Sequence, residues 1–150
     1  AGGEVKKANK SHIGIANEIT INEQGISHPL YKNKNKRFNS PAFNFDEVVT
    51  LPKNSTCLAS NKINKVQSLF FEVDNSKVWG LQYHPEITYE KMINLIEFRK
   101  DKLIINRKTF KDENEVHSHI SSIKDEISVS NKDLRMLELS NWLNFIKSNK

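Results

Sequence analysis

The stretch Val78-Trp79-Gly80-Leu81-Gln82-Tyr83-His84-Pro85-Glu86 holds the residues best suited to chemistry. On an extended backbone alternate side chains share a face, so Gly80, Gln82 and His84 fall on one side. Trp79, Leu81 and Tyr83 then form the other, larger and more apolar side. A strand direction that persists through Pro85 would add Glu86 to the face of His84. Pro85 fixes its own φ and biases His84 toward an extended conformation, which stiffens the spacing. An imidazole and a carboxylate two residues apart suit general acid–base catalysis. The imidazole moves the proton, while the carboxylate holds its tautomer and stabilises the imidazolium. A base of this kind contributes about 10² to 10⁴ in rate. The same spacing also arises by chance, and an exposed turn with a local ion pair accounts for it equally well at this level.

The other reactive side chains read more plainly. Cys57, the single cysteine, lies in Asn54-Ser55-Thr56-Cys57-Leu58-Ala59-Ser60, with no flanking glycine and no turn into a helix. It reads as a buried structural cysteine on a short strand. One cysteine excludes an intramolecular disulfide and a multi-cysteine zinc site, and suits a reducing, cytoplasmic setting. His117-x-His119, near Glu113 and Glu115, has a metal-like look. Positions two apart on a helix diverge by about 200°, however, so both are expected to face solvent rather than one ion. His12 and His28 have no carboxylate at ligand spacing and are expected on the surface. No Gly-x-Gly-x-x-Gly or Gly-Lys-Ser/Thr run is present, so no phosphate-cradling ATP site is expected.

Elements that would position these residues follow from periodicity. Ile13, Ile15, Ile19 and Ile21 share one parity and predict a half-buried strand over 12–21. Residues 25–35 read as a loop, and extended segments recur at 41–50, 56–60, 66–73 and 78–83. Asp74-Asn75-Ser76 predicts a hairpin connection between the last two. The period then changes. Thr88 is the expected N-cap of a helix presenting Met92, Ile93 and Ile96. Asp112 with Glu115 predicts a capping box ahead of a stripe of Val116, Ile120, Ile123 and Ile127. A last helix over about 132–147 is expected to bury Leu139, Trp142, Leu143 and Ile146.

Composition narrows the class. The 150 residues, 27% charged and 37% hydrophobic, suit a folded domain with no membrane span. The net charge of +5 comes from 19 Lys and only 4 Arg, alongside 18 Asn and 15 Ile. Lys, Asn and Ile share A- and T-rich codons, so base composition explains the excess, and no nucleic-acid partner is expected. The cluster Lys32, Lys34, Lys36 and Arg37 reads as a solvated turn. The chain starts at Ala1 without a methionine, consistent with an internal fragment.

Gly80-Leu81-Gln82-Tyr83-His84-Pro85-Glu86 resembles the Gly-φ-Gln-(Phe/Tyr)-His-Pro-Glu motif of class I, triad-type glutamine amidotransferases. Gly2-Gly3-Glu4-Val5, Phe45-Asp46-Glu47-Val48-Val49-Thr50-Leu51-Pro52, Leu58-Ala59-Ser60 and Val66-Gln67 resemble further family segments in the family's order. The match covers about residues 1–100 and is nearest to stand-alone bacterial proteins resembling the glutaminase part of GMP synthetase. Arg135 to Leu143 echoes their C-terminal tail. The resemblance implies an α/β, flavodoxin-like domain, of which residues 1–106 supply the later, largely antiparallel strands and a helix. Residues 107–150 would be a helical extension.

It also implies glutamine hydrolysis to glutamate and ammonia by a Cys-His-Glu triad, with His84 as general base and acid and Glu86 as its orienting partner. No metal or organic cofactor is implied. Glutamine would be the substrate, and an ammonia-accepting synthetase the partner. The family's nucleophile sits in a Gly-x-Cys-x-Gly elbow upstream of Gly-Gly-x-Val, a place that would precede Ala1. The chain alone is therefore expected to be inactive. Asn44-Phe45 stands where relatives often carry a His before the Asp-x-Val loop, which leaves the substrate contacts there open. Two rival readings are a γ-glutamyl hydrolase of related chemistry and a nucleophile-free binding or regulatory protein.

Overall fold

Gly14 divides what the isoleucine parity predicts as one strand. Its φ of +86° is a conformation that residues with a Cβ rarely adopt. The chain turns there, and the two halves enter different sheets. A computed structural model describes residues 2–148. Its strands are β1 (Glu4–Ile13), β2 (Ala16–Ile21), β3 (Arg37–Ser40), β4 (Phe43–Thr50), β5 (Thr56–Ser60), β6 (Ser68–Val73) and β7 (Ser76–Leu81). Its helices are α1 (Glu23–Ser27), α2 (Tyr89–Phe98), α3 (Glu113–Val129), α4 (Lys132–Arg135) and α5 (Leu137–Ser148). A 3-10 turn covers Pro29–Tyr31 and a π-helical turn covers Lys102–Asn106.

β1 pairs with β4 in a two-stranded sheet, and the order β3-β2-β5-β6-β7 makes a five-stranded one. Every pairing is antiparallel. The four isoleucines are all buried, as their parity predicts, but in two cores. Ile13 and Ile15 pack with Ile96, Val116, Ile120 and Ile123 between β1 and helices α2 and α3. Ile19 and Ile21 pack with Leu30, Tyr31, Leu58 and Tyr83 on the five-stranded sheet. Each such side chain taken from water stabilises the fold by about 1.5–3 kcal/mol.

The helix starts follow their caps. Thr88 Oγ1 accepts from the Lys91 amide at 3.4 Å, and Asp112 Oδ1 accepts from the Glu115 amide at 3.0 Å. The return bond of the second box is displaced by one residue, because Glu115 Oε2 accepts from the Lys111 amide at 2.6 Å. Between β6 and β7 only Asp74 and Asn75 intervene, with Val73 opposite Ser76.

Three expectations need correction. The segment expected as loop begins inside α1, which is capped by Asn22, whose side chain accepts from the Gly25 amide at 2.8 Å, and it also holds the 3-10 turn, with β3 following it. The last helix is two helices, broken at Met136. Its predicted apolar face is also the wrong one, for Trp142, Leu143 and Ile146 are exposed. Glu138, Asn141 and Phe145 turn inward instead. Asn141 Nδ2 donates to the carbonyls of Leu30 and Lys32 at 2.9 Å each, and Phe145 packs on Trp79 at 5.0 Å between ring centroids. Hydrogen bonds to the open carbonyls of the 3-10 turn thus decide which side of α5 docks, over the apolar count.

A Cβ on Gly14 would lie 2.5 Å from Ile123 Cδ1 and 2.8 Å from Ile96 Cδ1. Gly14→Ala is therefore expected to destabilise the protein by at least the ~1–3 kcal/mol of core overpacking, read as a lowered urea midpoint at unchanged m-value.

Candidate functional site

The ladder of β7 ends at Leu81, so the strand does not carry its direction through Pro85. The His84 amide donates to the Pro41 carbonyl at 2.7 Å, and the Ile87 amide donates back to the His84 carbonyl at 3.1 Å. Residues 84–87 thus close a turn, and that turn, not strand parity, brings Glu86 to His84. His84 Nδ1 lies 2.8 Å from Glu86 Oε1. With Glu86 ionised, Nδ1 carries the proton and Nε2 is left as the basic nitrogen. The two side chains are 40% and 48% exposed, open to a reactant. Gln82 is held from β4, where Asn44 Nδ2 donates to its carbonyl at 3.0 Å and its side-chain oxygen at 2.9 Å.

Beneath the turn runs a buried polar chain. The Tyr83 hydroxyl donates to Glu138 Oε1 at 2.8 Å and meets the Tyr31 hydroxyl at 2.9 Å. Tyr31 in turn meets Ser68 Oγ at 2.6 Å. Lys34 Nζ donates to Glu138 Oε2 at 2.9 Å and to the Leu134 carbonyl at 2.6 Å. Burial drives the pKa of both tyrosines up, Tyr83 most strongly, so both stay neutral donors. Burial also lowers that of Lys34, an effect Glu138 opposes. Arg135 Nη1 donates to the carbonyls of Pro85 and Ile87, the latter at 2.8 Å.

The remaining candidates fall elsewhere. Cys57 lies on β5, separated from β7 by β6. Its sulfur is 3.5 Å from the Ala59 and Lys65 carbonyls, and burial raises its pKa, the reverse of what a thiolate nucleophile needs. Four surface expectations are overturned. His12 is 2% exposed and receives the Gln67 amide at 2.9 Å, because the bend at Gly14 folds β1 inward there. His28 caps the 3-10 turn, accepting from the Leu30 amide at 3.1 Å, and packs on Phe70 and Trp79. Of the pair on α3, His117 is exposed while His119 Nε2 donates to the Ile13 carbonyl at 2.6 Å. The 200° divergence holds, and it turns one ring inward. Lys34 leaves its solvated cluster to pair with Glu138, its side chain 5% exposed. Among the described residues no group of three or more His, Cys, Asp or Glu side chains is arranged to hold a metal ion, and no helix is long and apolar enough to cross a membrane.

No protein-family model matches the chain. Its fold is that of glutamine amidotransferases of known structure. A glutamine amidotransferase from Thermotoga maritima superposes with a TM-score of 0.64 at 20% identity, over 94% of this chain and 54% of that one. A glutamine amido transferase from Methylobacillus flagellatus gives 0.61 at 12% identity, over 95% and 56%. Sequence narrows the class. The chain is 38% identical over 97 residues to a glutamine-hydrolyzing GMP synthase subunit of Sulfolobus acidocaldarius, covering 64% of this chain and 48% of that protein. It is 30% identical over 92 residues to a gamma-glutamyl-L-1-hydroxyisopropylamide hydrolase of a Pseudomonas species, covering 59% and 31%. The chain is thus similar in fold to glutamine amidotransferases and in sequence to a GMP synthase subunit and a γ-glutamyl amide hydrolase, and it spans about a third to a half of these curated relatives.

Arg135 and Glu138 escape sequence pattern as neighbours of the site. Removing one partner of a buried ion pair costs about 3–5 kcal/mol. Lys34→Met should lose that much by denaturant titration, and Lys34→Met with Glu138→Leu should recover a large part of it. Two histidines make the fold sensitive to acid. Burial lowers the pKa of His12 and of His28 below the ordinary 6.5. Their stability contribution is then complete above the unfolded value of 6.5 and is lost as pH falls from there through the folded values. The urea midpoint should decline over that window, and His12→Gln should flatten part of the decline.

Proposed function

We propose that this chain supplies the base half of a cysteine-dependent glutaminase site. A thiolate from outside the chain attacks the side-chain amide carbon of glutamine. His84, having taken the thiol proton on Nε2, returns it to the departing nitrogen, and ammonia leaves. Water then adds to the γ-glutamyl thioester with His84 as base, which releases glutamate and restores the thiol. Glu86 holds Nδ1–H and stabilises the imidazolium. The observation that carries this reading is the 2.8 Å Nδ1–Glu86 contact, which leaves Nε2 as the basic nitrogen of a side chain 40% exposed. The raised pKa and distant strand of Cys57 support a nucleophile other than this residue. The relationship to GMP synthases supports delivery of ammonia to a synthetase partner, and a thiolate enzyme suits the reducing cytoplasm.

A second reading has its own support. The Pseudomonas relative is named for hydrolysis of a γ-glutamyl amide, and the same steps cleave such a bond with an amine in place of ammonia as the leaving group. Comparing kcat/KM for glutamine and a γ-glutamyl alkylamide separates the two.

In the full-length protein His84→Ala should lower glutamate release by about 10² or more with circular dichroism unchanged. Cys57→Ala should leave turnover within about twofold. Near-normal activity of the first variant, or abolished activity of a folded second one, overturns the assignment.

A further inference from the structure

We propose that Arg135 is a positioning residue for the His84–Glu86 pair, an inference that rests on the glutaminase reading of that pair. Arg135 Nη1 donates to the carbonyls of both Pro85 and Ile87. These carbonyls flank Glu86 on either side along the chain. Fixing them sets the peptide plane before Glu86 and the one after Ile87, and so brackets the two residues whose dihedrals decide the direction in which the Glu86 Cα–Cβ bond points. Glu86 needs such a hold, because its side chain is 48% exposed and its carboxylate bonds to His84, the very group it must orient. The other end of the turn is anchored separately, by the His84 amide on Pro41.

The guanidinium comes from a seat that is itself rigid. Arg135 closes α4, and the Leu134 carbonyl beside it accepts from Lys34 Nζ, which is also bound to buried Glu138. Glu138 takes the hydroxyl of Tyr83, the residue before His84. The tail therefore holds the chain just before His84 through Tyr83 and the turn just after it through Pro85 and Ile87. A hydrogen bond from a charged donor to a carbonyl is stronger than a neutral one, and one nitrogen spanning two carbonyls ties them to each other. Arg135 binds the backbone on either side of the residue pair Glu86-Ile87 and acts through the geometry of Glu86.

The test compares Arg135→Met, which keeps the apolar stem and removes the donors, with Arg135→Lys, whose ammonium is one bond shorter. Both are made in the full-length protein, with His84→Ala alongside. In Arg135→Met the Ile87 amide should exchange with solvent about tenfold faster or more, while core amides such as Ile19 keep their protection. The imidazole ¹⁵N signals of His84 should lose the fixed Nδ1–H tautomer. Glutaminase kcat should fall about 10- to 100-fold with KM for glutamine within about threefold, as misplacement of a catalytic pair requires. Arg135→Lys should recover part of each effect. Unchanged Ile87 exchange and an unchanged His84 tautomer in Arg135→Met overturn the positioning role. So does a loosened turn with unaltered kcat. If Arg135→Met does not fold, Arg135→Lys decides on the same readouts, with parental exchange and kcat counting against the role. Retained turnover in His84→Ala would overturn the glutaminase reading instead, and the exchange and tautomer data would still judge Arg135.

Discussion

A carboxylate with 0% side-chain exposure governs how the C-terminal tail, and α5 above all, sits on the rest of the fold. Taking an ionised Glu138 out of water costs several kcal/mol, and the cost is recovered only where donors meet both oxygens. Lys34 and Tyr83 are those donors, one for each oxygen. The arrangement is directional in a way that apolar burial is not. A rotation of α5 by one residue would bury Leu139 in place of Glu138 and strand an ammonium and a phenol without partners. Asn141, one turn on, binds two carbonyls in the same orientation. The helix accordingly leaves Trp142, Leu143 and Ile146 in water. Polar satisfaction overrides the hydrophobic count here because an unmade buried hydrogen bond costs about as much as a buried aliphatic side chain contributes.

The buried chain and the exposed pair complement each other. An imidazole that exchanges protons with a reactant must be reached from outside, so it cannot draw its order from burial. His84 and Glu86 are close to half exposed, and their order comes from the backbone beneath them. Tyr83 is fully enclosed and bonded at its hydroxyl on two sides, by Tyr31 and by Glu138. Pro85 is buried as well. The motif thus alternates between residues that fix the chain and residues that face the solvent, and the larger apolar side predicted from strand parity is the one that anchors.

Much of this is legible in the sequence alone. Alternation places Trp79, Leu81 and Tyr83 on one side and gives the hairpin at Asp74-Asn75, since both depend only on neighbouring residues. The stripe of Val116, Ile120 and Ile123 is buried as its spacing requires. What fails has a common cause, namely a partner distant in sequence. Lys34 reads as solvated until Glu138 is placed 104 residues later. His12 reads as a surface residue until the bend at Gly14 brings Gln67 against it, 55 positions away. Glu86 does reach His84, but by a turn closed at Ile87 and braced by Arg135, which no local pattern contains.

The same reasoning bears on how the site comes to exist during folding. Its backbone is held by Pro41, Asn44 and Arg135, contacts that span 38 residues for Asn44 with Gln82 and 50 for Arg135 with Pro85. None of these can form early, because each closes a long loop whose entropy must be offset by contacts already made. The hairpin of β6 and β7 carries the motif and can form locally, yet it ends at Leu81, before the residues that matter. His84 and Glu86 therefore gain their geometry only when the segment from Pro41 into β4 and the tail have both docked. A site assembled this way is coupled to the integrity of the whole fold. A defect in the seat of Glu138 should loosen the turn through Arg135 even where the hairpin itself is intact.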